Sequence, residues 1–286
     1  MGSTQERLTP TARVLIDQLR KLRRREVDLV RDDAMLKKIT PRPRWLLSDM
    51  HKRGIAHPVQ WGRYVVNIDG ASSPIASIYS LDPLASVLLA RLDEPYYLSW
   101  HSALWHHGLL EQQSNRLRVA VTFRKRDAHF ETFDIQFVTV RPRKFFGWAD
   151  AKSERPPAFL KHLSTSIASI PVATVEKALI DSFDRPELAA PLSLVAAGLR
   201  TAWRSKRLDA ERLVADAIRF DSPTVNRRLG FFMDLFEIPG SAPLALRLGR
   251  NHVIPLEPGA APRGKTNHRW LVFADPVVVN TALAPK

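Results

Sequence analysis

The chain has 286 residues, 45% of them hydrophobic, and carries 43 Lys and Arg against 29 Asp and Glu, a formal net charge of +14. It has no cysteine, which excludes disulfides, thiolate nucleophiles, zinc–thiolate sites and iron–sulfur clusters. The length exceeds that of one typical domain, no run reaches the ~20 apolar residues of a membrane span, and residues 1–11 lack the apolar stretch of a signal peptide, so two domains in a cytoplasmic protein without a membrane partner are expected.

The charge surplus lies at the N-terminal end, where residues 1–66 hold 15 Lys and Arg against 7 Asp and Glu. Such a surplus suits a polyanion, because each phosphate neutralised by a cationic side chain releases condensed counterions. Thr9 followed by Pro10 predicts a helix start: the hydroxyl accepts an orphan amide, and proline needs no donor in the first turn. Leu15, Ile16, Leu19 and Leu22 then recur at helical spacing as one buried stripe, leaving Arg13, Arg20, Lys21 and Arg23 to Arg25 mostly to solvent or phosphate. Val27 to Val30 is a short β-prone run. Asp32 and Asp33 favour the positive end of a second, short helix with Met35, Leu36 and Ile39 on it.

A third helix starts within Thr40-Pro41-Arg42-Pro43 and stops at Gly54. On it Leu46, Leu47 and Met50 share one face, and Arg44, Trp45, Ser48 and Lys52 project from the other. That second face suits a DNA major groove: Arg and Lys donate to guanine edges, Ser donates or accepts, and Trp45 wedges against a sugar or a thymine methyl. Arg42 and Arg53 flank it and suit phosphates. Ile55 to Val66 gives two β-prone runs around a turn at Gly62, which places Arg63 at the tip of a wing, within reach of backbone phosphate or a minor groove. Helix, short strand, helix, helix, hairpin is the order of a winged helix-turn-helix. A protein-docking module has the same element order, and the charge on the third helix favours DNA.

The loop-like Ser72-Ser73-Pro74 places a domain boundary near residues 67–80. Leu81 to Arg91 reads as a helix. Tyr96 to Leu109 follows, with Ser99 as an N-cap and Gly108 as a stop. Leu117–Phe123 and Phe133–Val140 are β-prone runs able to pair, with the charged stretch Arg124 to Asp127 between them. Helices are expected over Val175–Phe183, Pro191–Thr201, Asp209–Arg219 and Thr224–Phe236, and strand-like pieces at Leu244–Leu248 and Arg269–Phe273. Three motifs, Tyr96 to Leu109 with its Ser102-Ala103-Leu104 and closing Gly108-Leu109, Val172 to Ser182 with its Glu176-Lys177-Ala178-Leu179-Ile180-Asp181, and Asn226-Arg227-Arg228-Leu229-Gly230-Phe231, make the chain resemble the antitoxin family of the abortive-infection E systems. The resemblance implies an N-terminal domain that represses its own operon by binding inverted repeats. It also implies a C-terminal domain that counters a nucleotidyltransferase-type toxin encoded next door.

Several enzymatic patterns compete with that reading. Gly259-Ala260-Ala261-Pro262-Arg263-Gly264-Lys265-Thr266 matches the phosphate-binding loop pattern, but such a loop needs a helix opening at Lys-Thr, and Asn267 to Phe273 reads as a strand. His101 and His106, five apart on a helix, diverge, so His101, His106 and His107 suit a helix C-terminus better than a metal. Ser99 and Ser102 lack a glycine-flanked elbow. Glu176, Asp181 and Asp184 form a possible carboxylate set, although the helix dipole alone selects Glu176. Asp134 and Gln136 lack the Lys of a nuclease strand. Tyr96, Tyr97, Trp100 and Trp105 read as core aromatics. Arg141, Arg143 and Lys144, beside Phe145, Phe146 and Trp148, are a candidate surface for DNA or an acidic partner, or else a solvated loop.

The sequence therefore predicts an α+β protein with a winged helix-turn-helix over residues 1–70 and a larger, mainly helical domain with a small sheet over 80–286. It is expected to be a non-enzymatic repressor and antitoxin without metal or cofactor, the alternative being a magnesium-dependent nuclease or nucleotide-binding enzyme. Its partners are double-stranded operator DNA and the toxin, and it is compatible with a monomer that places two copies on each operator. The DNA-contacting set is Arg42, Arg44, Trp45, Ser48, Lys52, Arg53 and Arg63.

Overall fold

The computed structural model of the protein describes residues 8–22, 24, 26–60, 62–66, 68, 95–112, 114–129, 134–147, 171–249 and 252–284. They fall into two compact units, one within residues 8–68 and one within 95–284. The expected boundary, apart from Ile68, and the expected helix over Leu81–Arg91 lie outside the described residues. The fold class is mixed α+β, mostly helical, with small sheets. Among the described residues no helix is long and apolar enough to cross a membrane.

In the first unit α1 spans Pro10–Lys21, and the Thr9 hydroxyl accepts the Ala12 amide at 3.2 Å. Ala12, Leu15, Ile16 and Leu19 form its buried stripe. Leu22, expected to extend that stripe, is instead the C-cap residue and 45% exposed, because the helical period ends one residue before it. Strand β1 (Glu26–Asp28) leads to α2 (Asp33–Ile39), α3 (Pro43–Lys52), β2 (Ala56–Gln60) and β3 (Arg63–Val66). The sheet order is β1-β3-β2, antiparallel throughout, with Val27 opposite Tyr64 and His57 opposite Val65. A register shift between Pro58 and Gln60 accommodates the proline on the edge strand β2. One core joins Leu15, Leu19, Val27, Leu36, Leu46, Leu47, Met50 and Val66, so helices and sheet bury each other's apolar faces.

The second unit begins with β4 (Tyr96–Leu98), α4 (Trp100–His106), β5 (Arg116–Val121), β6 (Ala128–His129) and β7 (Asp134–Thr139). Its sheet runs β4-β5-β7-β6. The two expected β-runs do pair, but in parallel, with Arg118 opposite Gln136. Parallel pairing requires a crossover connection, and the connecting segment supplies β6, which hydrogen-bonds the far edge of β7. Helices α5 (Val175–Asp184), α6 (Leu192–Arg204), α7 (Ala210–Phe220) and α8 (Pro223–Leu235) follow, close to the expected ranges.

The C-terminal part departs from expectation. Leu244–Leu248 is not a strand: α9 (Ala242–Ala245) occupies its start, and Pro243 in the first turn suits a helix better than a strand. Residues β8 (Ile254–Pro255), β9 (Lys265–Asn267) and β10 (Val272–Ala274) make a third sheet ordered β8-β10-β9. The run Arg269–Leu271, read as strand, is the turn between β9 and β10, because Trp270 leaves the strand line to be fully buried and Leu271 takes φ 53°. A last helix, α10 (Pro276–Leu283), was not anticipated. Arg200 of α6 donates to the carbonyls of Leu283, at 2.6 Å, and Ala284, satisfying acceptors that a helix end leaves open.

At the centre of the second unit Lys177 and Asp181, one turn apart on α5, form an ion pair with side-chain exposures of 0% and 3%. Lys177 Nζ also donates to the Tyr97 hydroxyl at 3.0 Å, and the Ser99 hydroxyl donates to Asp181 Oδ2 at 2.6 Å. Burial pulls the Lys177 ammonium below its ordinary pKa, while Asp181 opposes that shift. Breaking such a pair by removing one partner strands a buried charge, at a cost of about 3–5 kcal/mol. Asp181→Leu is therefore expected to lower unfolding stability by about that amount in a urea titration, and adding Lys177→Met to recover most of it. Failure of the second change to recover stability would show that the pair is not an isolated unit.

Candidate nucleic-acid interface

Helix α3 is built for two different surroundings. Pro43 fills its first turn, and its far end closes at Gly54, whose φ of 70° lets the Gly54 amide reach the His51 carbonyl and the Ile55 amide the Met50 carbonyl, both at 2.8 Å. Leu46, Leu47 and Met50 are at most 1% exposed. Arg42, Arg44, Trp45, Ser48, Lys52 and Arg53 are all exposed, Trp45 by 62%. At about 100° per residue, Trp45, Ser48 and Lys52 lie within about 60° of one another, opposite the centre of the buried face, while Arg44 lies on one flank.

One contact outside the apolar core helps fix the roll of this helix. His51 Nδ1 is 3.1 Å from the Ala56 carbonyl, which ties the last turn of α3 to β2. Arg53 Nε donates to Asp49 at 2.8 Å along the helix. Arg53, expected to grip phosphate, thus has an acidic neighbour to share, which reduces the charge it offers. Arg63 begins β3 directly after Gly62, opposite Asp28 in register, at the tip of the β2–β3 hairpin; its side chain lies outside the described residues.

The structure also withdraws Arg24 from the cations expected to be left to solvent or phosphate. Arg24, expected to face solvent or phosphate, holds Asp32 with contacts of 2.9 and 3.2 Å, and Arg31 holds the same carboxylate at 3.1 and 3.3 Å. Asp32 Oδ2 also accepts the Asp28 amide at 2.9 Å. This clamp closes the turn between β1 and α2. Arg23 and Arg25 lie outside the described residues. The sequence pattern offered little warning, since Asp32 read simply as an acid at a helix start.

The other chemistry-bearing residues are structural in their surroundings. Lys265 and Thr266 of the loop-like Gly259–Thr266 pattern lie in β9, not at a helix N-terminus, and Pro258 to Lys265 are exposed. Ser99 sits at the N-cap position of α4 without making the capping bond; its hydroxyl is turned to Asp181, to which it donates. Ser102 accepts the Arg118 amide at 2.9 Å. Burial and His107 push His106 down to about 3, so it is neutral at pH 7 and is not the charged partner of the helix dipole that its position suggested. Tyr96, Tyr97 and Trp100 are core, as expected. Of the basic group after β7, Lys144 pairs with Asp184 at 2.9 Å, Arg143 pairs with Asp221 at 3.2 Å, and Phe146 is buried; Trp148 lies outside the described residues.

No family model matches the chain, and no curated protein does. Its fold is similar to that in the crystal structure of the RV2827C protein from Mycobacterium tuberculosis, with a TM-score of 0.68 over 96% of this chain and 95% of that one, at 16% sequence identity. At that identity the likeness is one of fold.

The Asp32 clamp gives the first unit an acid-sensitive point. Burial alone raises a carboxyl pKa, but the hydrogen bonds from Arg31, the Asp28 amide and Arg24 outweigh it and hold Asp32 below its ordinary value. A depressed pKa contributes stability above the unfolded value, near 4, and loses it as pH falls through the folded value. Asp32→Asn is expected to cost about 1–2 kcal/mol at pH 7 and to flatten the fall in stability below about pH 4, as read by chemical denaturation across pH. An unchanged acid limb in the variant would remove Asp32 from this role.

Proposed function

We propose that the protein is a non-enzymatic, sequence-specific DNA-binding repressor of its own operon, and the antitoxin to a neighbouring nucleotidyltransferase-type toxin. In this reading residues 1–70 are a winged helix-turn-helix: α3 enters the major groove, and the β2–β3 hairpin is the wing. The observation that carries it is the two-sided character of α3, with Leu46, Leu47 and Met50 in the core and Arg42, Arg44, Trp45, Ser48 and Lys52 exposed on a unit rich in cations. Arg44, Ser48 and Lys52 read bases, and Arg42, Arg53 and Arg63 hold the backbone. A cytoplasmic location accompanies a chromosomal target, and an inverted repeat takes two copies.

The antitoxin half of the proposal rests on the three motifs that resemble the abortive-infection E antitoxins, all in the second unit. The enzyme alternative has weaker support. Its main motif places Lys265 and Thr266 in a strand, where their amides cannot open a phosphate-binding helix.

The test is binding of the full-length protein to DNA upstream of its own gene, against scrambled DNA of equal length, across a salt series. Tight, sequence-dependent binding with a steep salt slope is expected. Arg44→Ala is expected to weaken specific binding by about 1–3 kcal/mol and Arg63→Ala to weaken specific and non-specific binding alike. Equal, weak binding to both DNAs would overturn the repressor.

A further inference from the structure

The exposed face of α3 contains one residue that charge alone does not explain. Trp45 is 62% exposed, the largest side chain among the exposed apolar residues that the structure describes, and it stands at the middle of that face with Ser48 and Lys52, not at its margin. Leaving an indole in water forgoes the burial that aromatic side chains otherwise contribute, so a polar residue would serve a merely solvated position better. The surrounding cations Arg42, Arg44, Lys52 and Arg53 select a polyanion as the occupant of this face. Within a DNA major groove the bases offer one apolar group, the C5-methyl of thymine; every other distinguishing group is a hydrogen-bond donor or acceptor.

We infer that Trp45 reads the C5-methyl of thymine, so each operator half-site carries a thymine beneath the first turn of α3 and the methyl group supplies part of the specificity. This deepens the DNA-binding reading and rests on it. The placement suits the role: Trp45 is the third residue of α3, and in helix-turn-helix proteins the N-terminal residues of the recognition helix face the base edges. The indole N–H is a donor only, and it remains free to bond a neighbouring base acceptor or phosphate while the ring covers the methyl. The core contacts of α3 are made by Leu46, Leu47 and Met50, so replacing Trp45 leaves the helix anchored.

The experiment is binding of the full-length protein to the duplex upstream of its own gene, synthesised either with thymine or with uracil throughout. Uracil pairs as thymine does and lacks only the methyl. The wild type is expected to lose about fourfold in affinity per methyl contacted, hence about fifteenfold over two half-sites. Trp45→Ala is expected to bind the thymine duplex at least as weakly as the wild type binds the uracil one and to be indifferent to the exchange, and Trp45→Phe to retain most of the discrimination. Sequence-specific binding by the wild type with equal affinity for both duplexes would overturn the methyl contact and leave the repressor standing. Discrimination that persists in Trp45→Ala would assign the methyl to another residue and overturn the inference. An absence of sequence-specific binding to the thymine duplex would overturn the repressor and the inference together.

Discussion

The second unit is organised around a charge that has no access to water. Lys177, with an exposure of 0%, must be neutralised where it stands, and Asp181 one turn later on α5 does so. The pair then recruits its surroundings. Tyr97 from β4 accepts from Lys177 and, at 3.3 Å, donates to Asp181; Ser99 donates to the same carboxylate; and the Trp100 indole donates to the Asp181 backbone carbonyl at 3.1 Å. The rings of Phe146 and Phe220 lie 4.9 and 5.1 Å from the ammonium, where their faces add to its stabilisation. One ion pair therefore fixes the turn between β4 and α4 against α5. It also holds Trp100 at φ 50°, a backbone conformation that costs a bulky residue about 1 kcal/mol or more and persists only where its surroundings compensate.

The same logic runs through the Asn226–Phe231 segment of α8. Arg227 is 2% exposed and donates to the carbonyls of His252 and Leu248, at 2.8 and 2.6 Å, while Asn226 donates to that of Arg247 at 3.1 Å. Arg228 donates to the Phe183 carbonyl at the end of α5. Gly230 leaves room for the Trp270 ring: a Cβ there would lie 2.1 Å from it. Trp270 in turn donates to Asp234 at 2.7 Å, a carboxylate shared with Ser241 and Arg269. The two adjacent arginines are thus bolts that tie α8 to α5 and to the C-terminal segment. The motifs behind the family resemblance, the Ser99–Leu104, Glu176–Asp181 and Asn226–Phe231 segments, describe how this unit is held together.

What could be read beforehand follows from the range of the interactions involved. Elements set by local periodicity and capping were legible: α1 from Thr9-Pro10 and its leucines, α3 from its two prolines and Gly54, and α5 to α8 from their apolar spacing. Elements set by distant partners were not. The parallel pairing of β5 with β7 depends on where β6 docks, and the turn at Trp270 depends on a glycine forty residues earlier. Helix α10 has valines at three consecutive positions, a pattern that local propensity assigns to a strand; packing against α6 and the capping by Arg200 make it a helix. At the candidate interface the faces of α3 were legible because helical geometry alone sets them. The withdrawal of Arg24 into the Asp32 clamp was not, because it depends on a turn that brings residues eight apart together.

These two classes of arginine bear on how the net charge should be understood. A count of +14 treats every cation alike, whereas the fold divides them by burial and partnership. Arg200, Arg227 and Arg228 are inside, donating to carbonyl groups, and burial lowers the pKa of each without making deprotonation relevant near neutrality. Arg24, Arg31 and Lys144 are committed to carboxylates. The cations on the outer side of α3 stand on a helix anchored by its opposite face and by the His51 contact, and among them Arg53 shares Asp49. A helix that cannot roll fixes where these side chains start, so meeting a ligand costs rotamer freedom but no ordering of the backbone beneath them. Rigidity beneath and exposure above are properties of where this face sits, and the total charge does not report them.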